Sequence, residues 1–167
     1  MSVVITTPRL ILRHARPDDL PAVHAIMADP EVLRYWSTPP HEAIEQTREW
    51  LDGMIERNNQ GSFDYLIERD GTVIGKMGAY ELPDFGYYLA REAQGNGFAR
   101  EALRAFVVHV FGNGVDYLTA DSDPRNAPSM KLLTDAGFVE TGRAERTWLV
   151  GDEWCDSVYF RLDKNPA

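Results

Sequence analysis

The chain has 167 residues, which fits one domain, residues 1–167, with a sizeable core. Lys and Arg number 17 against 26 Asp and Glu, a formal net charge of −9 that argues against nonspecific nucleic-acid binding. That acidity admits two readings, a cationic or amine partner and a merely solvated acidic surface. No apolar run reaches the length of a membrane span, so no membrane partner is expected. Met1 to Pro8 lacks the basic start and long apolar stretch of a signal peptide, so a cytoplasmic protein is expected. The single cysteine, Cys155, excludes an internal disulfide framework and fits a reducing compartment.

In chain order, Arg9 to Arg13 reads as a first strand. Asp18 is placed to cap a helix with Leu20, Val23, Ile26 and Met27 on one face, and Pro30 marks its end. Ser37-Thr38-Pro39-Pro40 opens a second helix with Ile44, Thr47, Leu51, Met54 and Ile55 as its stripe and Trp50 beside it. Phe63 to Glu68, Val73 to Tyr80 and Phe85 to Ala90 read as an antiparallel meander, turned at Asp70-Gly71 and broken at Pro83-Asp84. A broad apolar stripe from Gly97 to Phe111 predicts a third helix packed on a sheet. Val115 to Ala120 is a strand, Met130 to Ala136 belongs to a fourth helix ending at Gly137, and Phe138–Val150 with Glu153–Leu162 forms a closing hairpin.

The stretch Tyr87 to Ala99 carries the strongest chemical signal. A strand runs into Gln94-Gly95-Asn96-Gly97, and a helix begins directly behind. Two glycines flanking one residue let backbone N–H groups approach a ligand, and the helix dipole points at the same place. This is a phosphate cradle. A dinucleotide fingerprint would need a third glycine where Arg100 stands, an early βαβ unit and a later acidic ribose ligand, and those features are missing.

Gln94-Gly95-Asn96-Gly97-Phe98-Ala99 matches the Gln/Arg-x-x-Gly-x-Gly/Ala signature of the GNAT N-acetyltransferase superfamily. Asn126-Ala127-Pro128-Ser129 and the following Gly137-Phe138 resemble the Asn-x-x-Ser…Gly-Phe signature of its ribosomal-protein N-terminal (alanine/serine) acetyltransferase branch. Thr7 to Arg13 and Pro17 to Leu20 are similar to that branch too, so the resemblance runs from about Thr7 to Leu162. It implies an α+β GNAT fold, a mixed, mostly antiparallel seven-stranded sheet with helices on both faces.

The resemblance also implies roles. Gln94, Gly95, Asn96, Gly97, Phe98 and Ala99 would hold the pyrophosphate of acetyl-CoA, mostly through backbone N–H groups. The preceding strand would splay from its neighbour, so that backbone near Tyr88, Leu89 and Ala90 pairs with the pantetheine arm. The N–H of Leu89 would polarise the thioester carbonyl. Asn126 would bond the pantetheine or cap its helix. Many relatives place a tyrosine acid where this chain has Leu133, which leaves Ser129 as proton donor to the thiolate, directly or through water, or else as a first-turn helix serine. Glu81 is the first choice of base, with Asp84, Asp156 and Glu153 as alternatives. Tyr35, Trp36 and Trp154, with Trp50 and Trp148, would line the acceptor side. Acyl transfer of this kind needs no metal, and His14, His24, His41 and His109 lack ligand spacing. Cys155 has no local histidine partner and reads as a strand residue, which favours direct transfer over an acyl-enzyme. The expected activity is acetyl transfer to a primary amine, a protein N-terminus or a small amine such as a polyamine, by a monomer or homodimer. A non-catalytic acyl-CoA-binding module is the alternative reading.

Overall fold

The computed structural model describes residues 4–165, and of Val4 only the backbone. The sheet has eight strands rather than the expected seven, in the order β1-β2-β3-β4-β5-β6-β8-β7. The additional strand is β1 (Val4–Thr6), which folds back along β2 (Ile11–Arg13). Its period-two signal is too short to read in a three-residue strand next to Pro8. The remaining strands are β3 (Asp64–Arg69), β4 (Thr72–Glu81), β5 (Asp84–Leu89), β6 (Tyr117–Ser122), β7 (Val139–Val150) and β8 (Glu153–Asp163). The helices are α1 (Leu20–Met27), α2 (Ile44–Asn59), α3 (Phe98–Gly112) and α4 (Ala127–Asp135). None is long and apolar enough to cross a membrane.

Two helix starts differ from expectation. Asp19, not Asp18, precedes α1, and its carboxylate accepts from the guanidinium of Arg13 at 2.8 and 2.9 Å and from the N–H of Arg16 at 2.7 Å. Helix α2 begins at Ile44, after the Pro39-Pro40 pair, because prolines lack the N–H and push preceding residues into extended backbone. Gln46 Oε1 closes that start by accepting from the N–H groups of Glu42 and Ala43 at 2.7 and 3.0 Å. Ile44 is consequently exposed, while Thr47, Leu51 and Met54 are buried as the stripe requires.

Strand alternation divides the core. Tyr65, Phe85 and Phe138 meet Phe106 of α3 or each other on one face, with ring centroids 5.5–6.3 Å apart. Tyr88 packs against Trp36 and Trp50 on the other. That second face also buries an ion pair, Lys76 Nζ to Asp64 Oδ1 at 2.9 Å. Strands β5 and β6 run parallel and pair at Asp84 and Thr119 alone among the described residues. The sheet therefore opens beyond that point, toward the C-terminal end of β5.

Candidate active site

The glycine turn closes the open end. Gly95 and Gly97 both have φ of 78°, the left-handed region that glycine occupies without steric cost. Gly97 sits at the N-cap of α3, and the helix's first backbone bond runs from Glu101 N–H to Gly97 O at 3.1 Å. The N–H groups of Phe98, Ala99 and Arg100 are thus first-turn donors outside the helical ladder. The turn is braced from outside. Arg9 donates to Asn96 O at 3.0 Å and pairs with Glu101 at 2.7 Å, and its guanidinium lies 4.6 Å from the Phe98 ring centroid. The Asn96 side chain donates back to Ala93 O and Gln94 O.

The β4–β5 ladder decides which way β5 presents its backbone. Ala90 N–H donates to Ile74 O at 2.7 Å, which makes Gly75 and Leu89 a non-hydrogen-bonded pair and Lys76 and Tyr88 a bonded one. Tyr88 and Ala90 therefore spend their backbone groups on β4. Leu89 and Tyr87 turn theirs toward the gap beside β6. The Leu89 carbonyl there accepts from Gln94 Nε2 at 3.2 Å, so a glycine-turn side chain steadies the strand end.

A cavity of about 630 Å³ follows the gap. It is lined by Tyr87, Tyr88, Leu89, Gln94, Gly95, Gly97, Phe98, Ala99, Asn126 and Ser129, so most of the expected coenzyme residues converge. Ala90 and Asn96 do not line it; the first pairs with β4 and the second buttresses the turn. Asn126 caps α4, its Oδ1 accepting from Ser129 N–H at 3.3 Å. Tyr87 Oη lies 2.5 Å from Ser129 Oγ. Burial pushes the Tyr87 phenol up to about 12, partly offset by that bond. The Tyr88 hydroxyl is buried without a hydrogen-bond partner, and burial pushes its pKa up further.

A second cavity, about 220 Å³, adjoins the first. Tyr35, Trp36, Phe85, Gly86, Asp121 and Asp123 line both. A side chain at Gly86 would meet the Trp36 ring at 3.2 Å, so this glycine makes room for the indole to lie over the strand. The hairpin covers the far side through Trp148, Cys155 and Asp156, and Trp148 Nε1 donates to Asp121 Oδ2 at 2.8 Å. Asp84, an exposed residue like Glu81, also lines this cavity; local desolvation of its carboxyl and Asp121 push it up, against a bond from Thr119 that lowers it. Glu81, Trp50 and Trp154 line neither cavity. Glu81 is exposed at the end of β4, Trp50 packs toward Tyr88, and Trp154 is half exposed beside Arg146. Glu153 is held by Arg125 at 2.6 Å and lines neither. The Cys155 thiol is pushed up by burial and by Glu153, which keeps it a thiol rather than a thiolate.

Several residues of the cleft escape a reading of the sequence alone. Asp121 and Asp123 look like a loop's polar run, Arg100 like an ordinary helix residue, and Lys76 like an exposed strand lysine. The alternation of β6, with Ala120 and Ser122 buried and Asp121 half-buried, is the signal that sets Asp121 apart.

A parallel pair of strands parted next to a glycine-capped helix, with an apolar slot leading to an acidic recess, defines a transferase that takes an acyl group from a coenzyme A thioester. The acetyltransferase (GNAT) domain model matches residues 9–139. The uncharacterized N-acetyltransferase YoaA of Bacillus subtilis is 30% identical over 153 residues, 85% of this chain and 86% of that protein. The uncharacterized N-acetyltransferase p20 of Bacillus licheniformis is 28% identical over 146 residues, 81% and 82% of the two chains. A Salmonella typhimurium acetyl transferase that modifies the N-terminal serine of ribosomal protein L7/L12 superposes with a TM-score of 0.87, at 20% identity over 98% of this chain and 100% of its own. The chain belongs to the GNAT acetyltransferase family and is an acetyl-CoA-dependent N-acetyltransferase.

The cleft fits that co-substrate. The glycine cradle, the first-turn N–H groups and Arg100 suit a diphosphate in a chain whose net charge would otherwise repel one. The outward N–H of Leu89 suits the amide-bearing arm and the thioester carbonyl.

Proposed function

We propose that the acetyl group passes directly, within a ternary complex, to a primary amine that enters through the second, acidic cavity. The observation that carries this reading is the continuity of the two cavities, which meet at Phe85, Gly86, Asp121 and Asp123. An amine in the smaller space faces Leu89 and the slot without leaving the cleft. The acidic lining attracts the protonated amine, and the Trp36 and Trp148 indoles flank its path. Asp84 is then the base that removes the ammonium proton, in place of Glu81. The acceptor is either a protein N-terminus, as for the Salmonella transferase, or a small amine. Exposed Trp148, Leu149 and Trp154 on the hairpin that covers the second cavity offer a peptide further surface and support the first.

The test is release of free thiol from acetyl-CoA with a panel of amines that includes spermidine, amino acids, and peptides beginning with alanine or serine. Turnover concentrated on peptides supports the N-terminal reading. Turnover on spermidine alone overturns that choice, and acetyl-CoA binding without thiol release on any amine overturns the acceptor reading altogether.

A further inference from the structure

The second cavity is not uniformly acidic. Its carboxylates come from one side of the sheet: Asp84 from β5, Asp121 from β6, Asp123 just after β6 and Asp156 from β8. Strand β4, on the other side of β5, contributes Lys76. Among the described residues, Lys76 is the one cationic side chain that lines this cavity. Gly78 and Gly86, paired across β4 and β5, also line it and carry no side chains. The space between the cation and the carboxylates is therefore closed by backbone and by the Trp36 ring that lies against Gly86.

A buried ammonium has to be paired or hydrogen-bonded. Lys76 is 5% exposed, its Nζ pairs with Asp64 Oδ1 at 2.9 Å, and the Trp36 ring centroid lies 5.8 Å away. Asp64 is shared. Arg57 Nη2 stands 3.6 Å from its other oxygen, and the Arg57 guanidinium lies 4.2 Å from the ring centroid of Tyr80, which also lines the cavity. One carboxylate thus faces two cations, and positive charge is left in excess at this end of the cavity. An ammonium carries three N–H donors, of which Asp64 accounts for one. Donor capacity remains for an oxygen inside the cavity.

We propose that Lys76 reads the acceptor, its Nζ donating to a backbone carbonyl oxygen close behind the reacting amine. The substrate class this selects is the N-terminus of a peptide rather than a plain alkyl amine. The inference rests on the amine entering through the second cavity. With its ammonium toward Asp84 and Asp121 and its carbonyl toward Lys76, a peptide N-terminus lies along the direction in which the lining charges separate. A polyamine brings a further cation to the Lys76 end and is repelled there.

The experiment compares two acceptors of matched length, Ala-Ala amide, which carries carbonyls, and n-hexylamine, which does not. Thiol release gives kcat/KM for each in the wild type and in Lys76→Met/Asp64→Asn, which removes both buried charges together so that neither is left unpaired. The preference for Ala-Ala amide is expected to shrink about tenfold in the variant, as for loss of one charge-assisted hydrogen bond, chiefly through the KM of the dipeptide. The calorimetric Kd for acetyl-CoA and the thermal midpoint check that the coenzyme site and the fold persist. A merely structural role for Lys76 lowers kcat/KM for both acceptors in proportion. That result, or an unchanged preference, overturns the proposal and leaves amine entry through the second cavity standing. A wild type that turns over n-hexylamine but not Ala-Ala amide overturns it too. Failure of the wild type to release thiol with any amine overturns both readings. Should the double variant fail to fold, Arg57→Met, at a partly exposed site, is read in its place. With one cation fewer, Asp64 neutralises Lys76 and the preference falls; an unchanged preference there overturns the proposal.

Discussion

Asp84 of β5 stands opposite Thr119 of β6 where the two parallel strands meet, and Thr119 Oγ1 donates to the Asp84 carboxylate at 3.3 Å. The same pair ends the closed part of the sheet and begins the gap. It puts a carboxylate at the edge of the recess from which the amine is proposed to arrive. The fold thus fixes the proposed base relative to the cleft through one strand junction.

Asp84→Asn is expected to lower kcat about a hundredfold, within the range for loss of a general base. The KM for acetyl-CoA should stay near the wild-type value, since Asp84 does not line the first cavity. The base works only as a carboxylate, and local desolvation and Asp121 push its pKa up. Wild-type activity should therefore rise with pH through that elevated value, and the variant should lose this limb. A pH–rate profile with the limb intact in Asp84→Asn would move the base elsewhere.

The glycine turn was legible because its signal is local: three positions fix a left-handed backbone and a helix start, and no distant residue is needed to see them. Asn126 was legible for the same reason, as a cap. The base was not. Glu81 and Asp84 lie three residues apart across a turn, and which one faces the recess depends on the irregular register between Gly78 and Glu81. The Tyr87–Ser129 contact joins residues 42 apart in sequence and follows only once β5 and α4 are placed side by side. Trp154 shows what strand alternation alone implies. Trp148 pairs with Cys155 and Trp154 with Leu149, so the two indoles fall on opposite faces of the hairpin, Trp148 over Asp121 and Trp154 beside Arg146.

Gly97→Val is expected to weaken acetyl-CoA binding at least about tenfold. A Cβ at this position meets Arg9 Nη2 at 3.5 Å, so the protein itself has room. The cost comes from a β-branched residue at a φ of 78° and from a side chain standing in the cradle. Calorimetry on a folded variant decides it, and unchanged affinity would remove the turn from the binding site.

Arg100→Glu tests the electrostatics of the same cradle. Arg100 is exposed at the start of α3 and lines the first cavity. Replacing a cation by an anion near a helix N-terminus is neutral to mildly favourable for the helix, so stability should hold. Affinity for coenzyme A should fall about tenfold at low salt and by less at high salt, because screening weakens the lost attraction. A salt-independent loss would point to a shape effect instead.

Gly75→Ala and Gly78→Ala test the close approach of the central strands. The added Cβ would come within 2.3 Å of Tyr88 O in the first case and 2.5 Å of Phe63 O in the second, and both obstacles are backbone. Each is expected to cost about 1–3 kcal/mol or more, the usual penalty for forcing atoms into a filled space. Gly112→Ala, at the end of α3 with nothing within 4 Å, is the control and should be neutral or slightly stabilising. Urea denaturation of the three variants gives the comparison. Gly75→Ala should also weaken coenzyme A binding, since Tyr88 and Leu89 must shift to admit it.

The histidines predict how stability depends on pH. His14, His41 and His109 are all held below the ordinary imidazole value, chiefly by burial, with His24 adding to the effect at His41 and His14 at His109. His24 and His41 both contact Thr47 Oγ1 through Nδ1 at 2.7 Å, so a single hydroxyl serves two rings. A depressed folded value means that the unfolded chain binds these protons first. Their contribution is fully present above the unfolded value of about 6.5 and is lost as pH falls through the lower folded values. Carboxylates held down by hydrogen bonds, Glu101 by Thr7 and then Arg9, and Asp123 by Arg125 against its burial, act only in a more acidic window, below about pH 4. The urea midpoint should therefore be level above about pH 7 and fall as pH drops below about 6.5 toward the carboxylate window. His41→Gln should flatten that fall by removing one of the protons taken up on unfolding. A midpoint that stays level over the whole interval would show that the three rings titrate alike in the folded and unfolded chain.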